Sequence, residues 1–366
     1  MSLDRRQVLT SAAVLAAGAV GVSAIARGAD RDGSPPRALG DTPAHGAHQA
    51  GIDRPVDPQT FALVSVVDVA TQTRAELGDM LAALGRTIAA HTADGSGDLT
   101  ATVAVGPRLV RAAGDGLPGS DPLPLFAGDD RIPASRTGGD LLLALHGSDA
   151  GVLERAREAM VWTMRARVRW AQHGFRASAG EGRARNLLGF LDGVVVPRTE
   201  FQLQDDVWIP DGPAANGTIC VVRRLRLDVD GFRSLPVRRQ ERIIGRRLSD
   251  GAPLSGGAPL DQVDLGAKTP AGEYVVPAHA HARAAHPSFT GSHLMLRRSY
   301  SYANPGSERG LVFISFQRDL DTFVRTQRRL DETDALMHFA TATASASFLV
   351  LPGFDDARAL GATLFR

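Results

Sequence analysis

Four of the chain's ten histidines, His279, His281, His286 and His293, fall between residues 277 and 302, and the pair Arg297-Arg298 follows them into an alternating aromatic run. Neutral imidazole is the commonest protein ligand for a transition metal, and a metal already held in a macrocycle needs only one such nitrogen. Arginine stays charged at every working pH and presents a rigid fork of donors, suited to an anion or to negative charge developing on oxygen. In a strand over this run Arg297, Ser299 and Ser301 share one face and Arg298, Tyr300 and Tyr302 the other. Only one of the two arginines can therefore enter a given pocket. The residue types leave three readings: a single axial ligand with a cationic partner, a copper or zinc site built from the four histidines, or a solvated histidine-rich surface. His279 and His281, two residues apart, compete for the role of ligand.

A second motif is Arg185-Asn186-Leu187-Leu188-Gly189-Phe190-Leu191-Asp192-Gly193. Asp192 follows leucine-rich sequence and precedes a glycine that lets backbone approach closely, which suits a carboxylate in apolar surroundings that shuttles protons. A plain Asp-Gly turn is the other reading of the same residues.

The elements that must position these groups alternate along the chain. Residues 61–67 read as a strand, 73–91 as an amphipathic helix with Leu77, Met80, Leu81, Leu84 and Ile88 on one stripe, 99–105 and 140–145 as strands, and 151–169 as a helix. The second half repeats the theme with strands at 219–227, 292–302, 310–316 and 348–351 and helices at 239–248 and 320–330. Two β-α-β-β-α-β-like halves with helices on one side of antiparallel sheets predict an α+β protein built as a duplicated ferredoxin-like fold. The division places the N-terminal half at 59–193, a linker at 194–206 and the C-terminal half at 207–366.

With 366 residues and 43% hydrophobic content the chain can bury a large core. Forty-one basic against 40 acidic residues give a net charge of +1, which provides no field for a polyanion and argues against nucleic acid as a partner. At the N-terminus Arg5-Arg6 precedes an Ala- and Gly-rich apolar run over 8–26 that contains Ala24-Ile25-Ala26 as a cleavage site. This predicts a twin-arginine export signal at 1–26, removed during export to the periplasm or the exterior. Residues 27–58, rich in Gly, Pro, Asp and Arg without periodicity, predict a mobile leader. Cys220, the single cysteine, lies in an apolar strand pattern and reads as core. An exported chain without an intramolecular disulfide relies on its core or on a tightly bound cofactor.

Several segments in order complete the picture: His45-Gly46-Ala47-His48-Gln49-Ala50-Gly51-Ile52, Gly189-Phe190-Leu191-Asp192-Gly193, and His281-Ala282-Arg283-Ala284-Ala285-His286-Pro287. Then come Leu296-Arg297-Arg298-Ser299-Tyr300-Ser301-Tyr302, residues 310–320 and the closing Pro352-Gly353. This series resembles the dye-decolorizing peroxidases, and within them the exported, twin-arginine-signalled branch. The resemblance spans almost the whole exported part. It implies one haem b per chain, reduction of hydrogen peroxide, and one-electron oxidation of dyes, phenols or other donors. His281 matches the proximal iron ligand, Asp192 the distal aspartate and Arg297 the distal arginine. Gly193, Val194, Val195 and the loop His286-Pro287-Ser288 match haem-lining segments, and Asp334 is the candidate acidic partner of the proximal imidazole. His279 stands where relatives commonly carry an acidic residue, Val196 replaces a polar residue, and Ser299 takes the place of an asparagine of another branch. Release of iron from haem, as in deferrochelatases, and non-catalytic haem carriage are the alternatives. The implied partners are peroxide, a reducing substrate and the twin-arginine translocation machinery; a homo-oligomer is compatible with the sequence. Trp162, Trp170, Trp208, Tyr274, Tyr300 and Tyr302 are the candidates for packing or for relaying electrons to bulky donors.

Overall fold

The structure is a computed structural model that describes residues 42–70, 73–93, 98–176 and 184–365. The predicted export signal at 1–26, residues 27–41 of the predicted leader and residues 177–183 lie outside the described residues.

The first half runs β1 (Phe61–Asp68), α1 (Arg74–Ala93), β2 (Thr100–Val105), β3 (Leu141–Gly147), α2 (Ala150–Met164) and β4 (Arg167–Phe175). Its strands pair antiparallel in the order β4-β1-β3-β2. The predicted helix at 151–169 is shorter than its sequence pattern suggests. Arg165 turns left-handed at φ 49° and donates its N–H to Trp162 and Val161 oxygens, which ends α2 and frees the next residues for β4. Asp149 caps the other end by accepting from Gly151 and Val152 N–H.

The second half runs β5 (Thr218–Leu227), β6 (Leu296–Arg297), β7 (Tyr300–Ala303), β8 (Arg309–Gln317), α3 (Leu320–Thr333) and β9 (Ala340–Val350). The strand order is β9-β5-β8-β7, with β6 also on β8. The predicted strand at 292–302 is broken into β6 and β7. At the break Ile314 N–H donates to the Ser299 hydroxyl at 3.3 Å, a side-chain bond in place of a ladder bond. The predicted helix at 239–248 is Val237–Ile244, stopped where Gly245 adopts φ 93°.

In place of two separate antiparallel sheets, the strands form one continuous sheet that closes on itself. β2 meets β9 through Ala104↔Val350, β4 meets β7 through Phe175↔Ser301, and β5 pairs with β8. Joining removes edges that would otherwise expose unpaired backbone groups. Side chains from both halves then share one interior, among them Val64, Leu142, Trp170, Cys220, Ile314 and Phe348. Cys220 is fully buried there, and burial pushes its thiol pKa far up, so it is an inert core residue.

The C-terminal part of the predicted leader is not mobile chain. Ala50 and Ile52 are buried, and Gln49 bridges the halves by donating to Val103 and Leu351 oxygens at 2.8 Å and accepting from Val103 N–H at 2.8 Å. Arg298 reaches back to hold the Ile52 and Pro55 carbonyls. A side chain at 353 would collide with the Gly46 carbonyl at 2.1 Å, which explains the glycine of Pro352-Gly353.

Candidate functional site

Between β5 and β6 the chain takes a long crossover, residues 228–295, which carries only short helices. Between these, α3 and the outer face of the second half lies a cavity of about 260 Å³. Its walls are mostly apolar, with Leu225 and Leu227 from β5, Phe313 from β8, Leu330 from α3, and Leu188 and Phe190 from the Asp192 loop.

His281 opens the short helix His281–Ala284 and lines the cavity. The chain before it is fixed where Ala335 N–H donates to the His279 carbonyl at 3.0 Å. His281 Nδ1 lies 2.6 Å from Asp334 Oδ2, and Asp334 Oδ1 in turn accepts from Leu336 N–H at 2.8 Å. An ionised carboxylate can only accept, so Nδ1 carries the proton and Nε2 keeps its lone pair. Burial pushes the His281 pKa down, but the charge of Asp334 and its hydrogen bond outweigh this, and the net shift is upward. Arg297 opposes that shift and Asp192 adds to it, so all three groups share one electrostatic neighbourhood.

Arg297 lines the cavity from β6. Burial lowers its pKa and Asp192 raises it, leaving a net fall. Its guanidinium makes no hydrogen bond or ion pair among the described residues, so its donors remain available to a guest. Arg298 points the other way, into the barrel. The alternation read from the sequence therefore assigns one arginine to each side of the wall.

Asp192 lines the same cavity, on a loop tied by Asp192 N–H to the Ala184 carbonyl at 3.0 Å. Gly193 adopts φ 67°, and its N–H donates to Asp192 Oδ1 at 2.7 Å. Asp192 thus combines the turn with a carboxylate facing the cavity. Arg198 holds the next stretch by donating to the Gly193 and Val194 carbonyls at 3.0 and 2.9 Å.

Gly193, Val194, Val195, His286 and Pro287 all line the cavity. Burial, then Arg283, lowers the His286 pKa, and its Nδ1 accepts from Ser288 N–H at 3.1 Å. Two expectations need correction. Ser288 is exposed and outside the lining, because its N–H caps back onto His286 and carries the side chain away. A four-histidine copper or zinc site does not form: His279 is exposed on the far side of the turn, and among the described residues only Asp205, Asp206 and His293 bring three ligand-type atoms together. Exposure of His279 also leaves His281 as the axial candidate. Asp334 acts from behind His281 and does not itself line the cavity.

Sequence reasoning passed over Arg223, which lines the cavity while forming a bidentate pair with Asp129 at 2.6 and 2.9 Å. Both are almost wholly buried, and Asp129 comes from a loop of the first half. The visible signal was a charge directly after the apolar run 218–222, inside the strand predicted at 219–227. Of the candidate relay aromatics Trp162 is 85% exposed and Tyr274 46%, while Trp170, Trp208, Tyr300 and Tyr302 are buried.

An apolar-walled cavity with a carboxylate-held imidazole, a guanidinium unpaired among the described residues and a carboxylate fits a metallated macrocycle that takes one protein ligand and a small polar reactant. Comparison with known proteins bears on this directly. Residues 49–176 match the model of the N-terminal domain of Dyp-type peroxidases and residues 183–355 that of the C-terminal domain. A dye-decolorizing peroxidase of Thermobifida fusca is 37% identical over 291 residues, covering 73% of this chain and 67% of that protein. A deferrochelatase of Yersinia pestis is 30% identical over 399 residues, covering 96% and 90%. Among solved structures, an oxyferrous complex of DtpA from Streptomyces lividans superposes with TM-score 0.82 at 33% identity, covering 91% of this chain and all of that one. A DyP-type peroxidase from Cellulomonas bogoriensis gives 0.80 at 33%, covering 90% and 99%. Matched in both halves of its length, the chain belongs to the Dyp-type peroxidase family.

Proposed function

We propose that Asp192 and Arg297 carry the peroxide step of a haem peroxidase, with His281 as the residue that would hold the haem iron. The protein is a Dyp-type peroxidase, and haem is its cofactor. Haem, when bound, would supply the iron centre for reduction of hydrogen peroxide. The observation that carries the residue assignment is the shared cavity of His281, Arg297 and Asp192, with Arg297 unpaired among the described residues and Asp334 fixed behind His281. Asp334 would make the imidazole a more electron-rich ligand for that iron. Asp192 is placed to take a proton from peroxide and return it to the departing oxygen, directly or through a water. Arg297 offers a fixed cation, in low dielectric, to the negative charge that develops as the oxygen–oxygen bond lengthens.

Stopped-flow mixing of the haem protein with peroxide tests these roles. Arg297→Leu or Asp192→Asn should slow the first spectral change by about 10²- to 10³-fold. Unchanged rates in both variants would remove both residues from the step.

Relatives named deferrochelatase align over 96% of the chain, which favours iron release as a second reading. Mass spectrometry of haem-incubated protein separates the two, since only that reaction yields intact iron-free porphyrin. Strand order and element order support the finer reading of two ferredoxin-like halves divided near 194–206. Arg5-Arg6 and the apolar run after it support twin-arginine export, which replacing both arginines with lysine would block if the signal is read as such.

A further inference from the structure

The cavity holds a second histidine bound through Nδ1 to a carboxylate. His293 Nδ1 lies 3.0 Å from Asp206 Oδ1 and 3.8 Å from Asp205 Oδ2, and His293 lines the cavity that His281 faces. Asp206 is 7% exposed, and its backbone carbonyl accepts from Arg318 N–H at 2.9 Å, which fixes the chain that carries the carboxylate. As at His281, an acceptor-only partner puts the proton on Nδ1 and leaves the Nε2 lone pair free. The placement differs in what lies beyond the ring. The His293 side chain is 42% exposed beside Asp205 at 52%, so it stands where the cavity meets solvent. The charged groups facing it are Asp205, Asp206, Arg318, which is 3.8 Å from Asp205, and Arg297 within the cavity. Phe201, 80% exposed, precedes Asp205 by four residues on the helix Glu200–Asp206 and so shares its face. An oriented base therefore stands at the entrance, and the helix that holds it carries an exposed aromatic side chain one turn before Asp205.

We propose that His293, held by Asp206, accepts the proton of protic aromatic donors oxidised at this entrance, with Phe201 as the surface on which their rings rest. The inference rests on the peroxidase reading above. A phenol gives one electron to the oxidised cofactor and its O–H proton to His293 Nε2, leaving a phenoxyl radical. Two phenols and one hydrogen peroxide yield two phenoxyl radicals and two waters, and the imidazolium returns its proton to solvent. A donor that loses only an electron bypasses His293.

The test compares hydroquinone with ferrocyanide, which carries no proton to lose, as donors to the haem protein. His293→Gln should lower kcat/KM for hydroquinone by about 10²-fold more than for ferrocyanide. Added imidazole should restore hydroquinone turnover to His293→Ala, and Phe201→Ala should raise KM for hydroquinone. Nitrogen NMR of the resting protein provides a readout without turnover, with the neutral His293 ring protonated at Nδ1 and that preference lost in Asp206→Asn. Equal loss for both donors, loss for neither, or a resting proton on Nε2 overturns the proposal while the peroxidase reading stands. A wild-type protein that oxidises neither donor overturns both.

Discussion

The two halves share a strand order, β4-β1-β3-β2 against β9-β5-β8-β7, yet one is sealed and the other holds a cavity. In the first half α1 and α2 lay Leu77, Leu81, Leu84, Leu153 and Met160 onto the sheet, closing it with an unbroken apolar layer. In the second, the corresponding crossover at 228–295 builds no long helix, and α3 alone covers the sheet as an extended element. The space left by the missing helix is the cavity. Its chemistry comes from where short helices and loops end: His281 at a helix start, Asp334 just past α3, Asp192 at a turn. The same sheet can thus carry a stable core or a reactive site, according to whether its connection spends its residues on a helix or on loops.

One truncation in each half tests that contrast most strongly. His281→Ala removes the imidazole that Asp334 holds toward the cavity, so the purified protein should lose its Soret band and its haem while keeping a cooperative urea transition. Leu81→Ala deletes a fully buried side chain from the sealed layer. It should lower stability by about 2–5 kcal/mol and leave the haem content per chain unchanged. If Leu81→Ala sheds haem as readily as His281→Ala, the halves are not separate in the way the packing indicates.

A smaller effect addresses the tie between them. Asp129 crosses from the first half to Arg223 on the cavity wall, and Arg223 also donates to the Ser345 hydroxyl at 3.2 Å. Asp129→Ala leaves a buried guanidinium without its counter-charge, and denaturant unfolding should show a loss of about 3–5 kcal/mol. Replacing both residues with apolar ones of similar volume should recover most of it. A single variant as stable as wild type would mean that solvent reaches Arg223 and the loop does not seal the cavity.

How much of this was legible beforehand follows the range of the forces involved. The elements of the first half could be read because their apolar periods, at Leu77, Leu81, Leu84 and Ile88 for example, record local geometry. The closure of the ring pairs Ala104 with Val350 and Phe175 with Ser301, each across a long stretch of sequence, and the break between β6 and β7 turns on one side-chain bond from Ile314 N–H to Ser299; neither leaves a local period. Arg297 and Arg298 were separable by strand alternation, but which faced the cavity came only from the resemblance. The pairs Arg223–Asp129 and His293–Asp206 join segments 94 and 87 residues apart, and nothing near any of the four announces its partner.

The mildest prediction concerns the seam inside the barrel, where the halves meet. His146 of β3 stacks on Tyr300 of β7 with ring centroids 5.4 Å apart, and neither of its ring nitrogens finds a protein partner. Burial first, then Arg298 and Arg176, pushes its pKa down to about 3 from the ordinary 6.5. A base whose folded pKa is depressed binds its proton more readily in the unfolded chain. Its contribution to stability is therefore complete above about pH 6.5 and is lost progressively as pH falls toward 3. The loss should reach a few kcal/mol, on the order set by a shift of this size. His146→Phe keeps a ring against Tyr300 but cannot titrate, so the difference in unfolding free energy between wild type and variant should move in the variant's favour on acidification. A difference that stays flat from pH 7 to pH 4 would mean that His146 reaches solvent or an ordered partner in the folded protein, and the seam would then be wetter than either half's core.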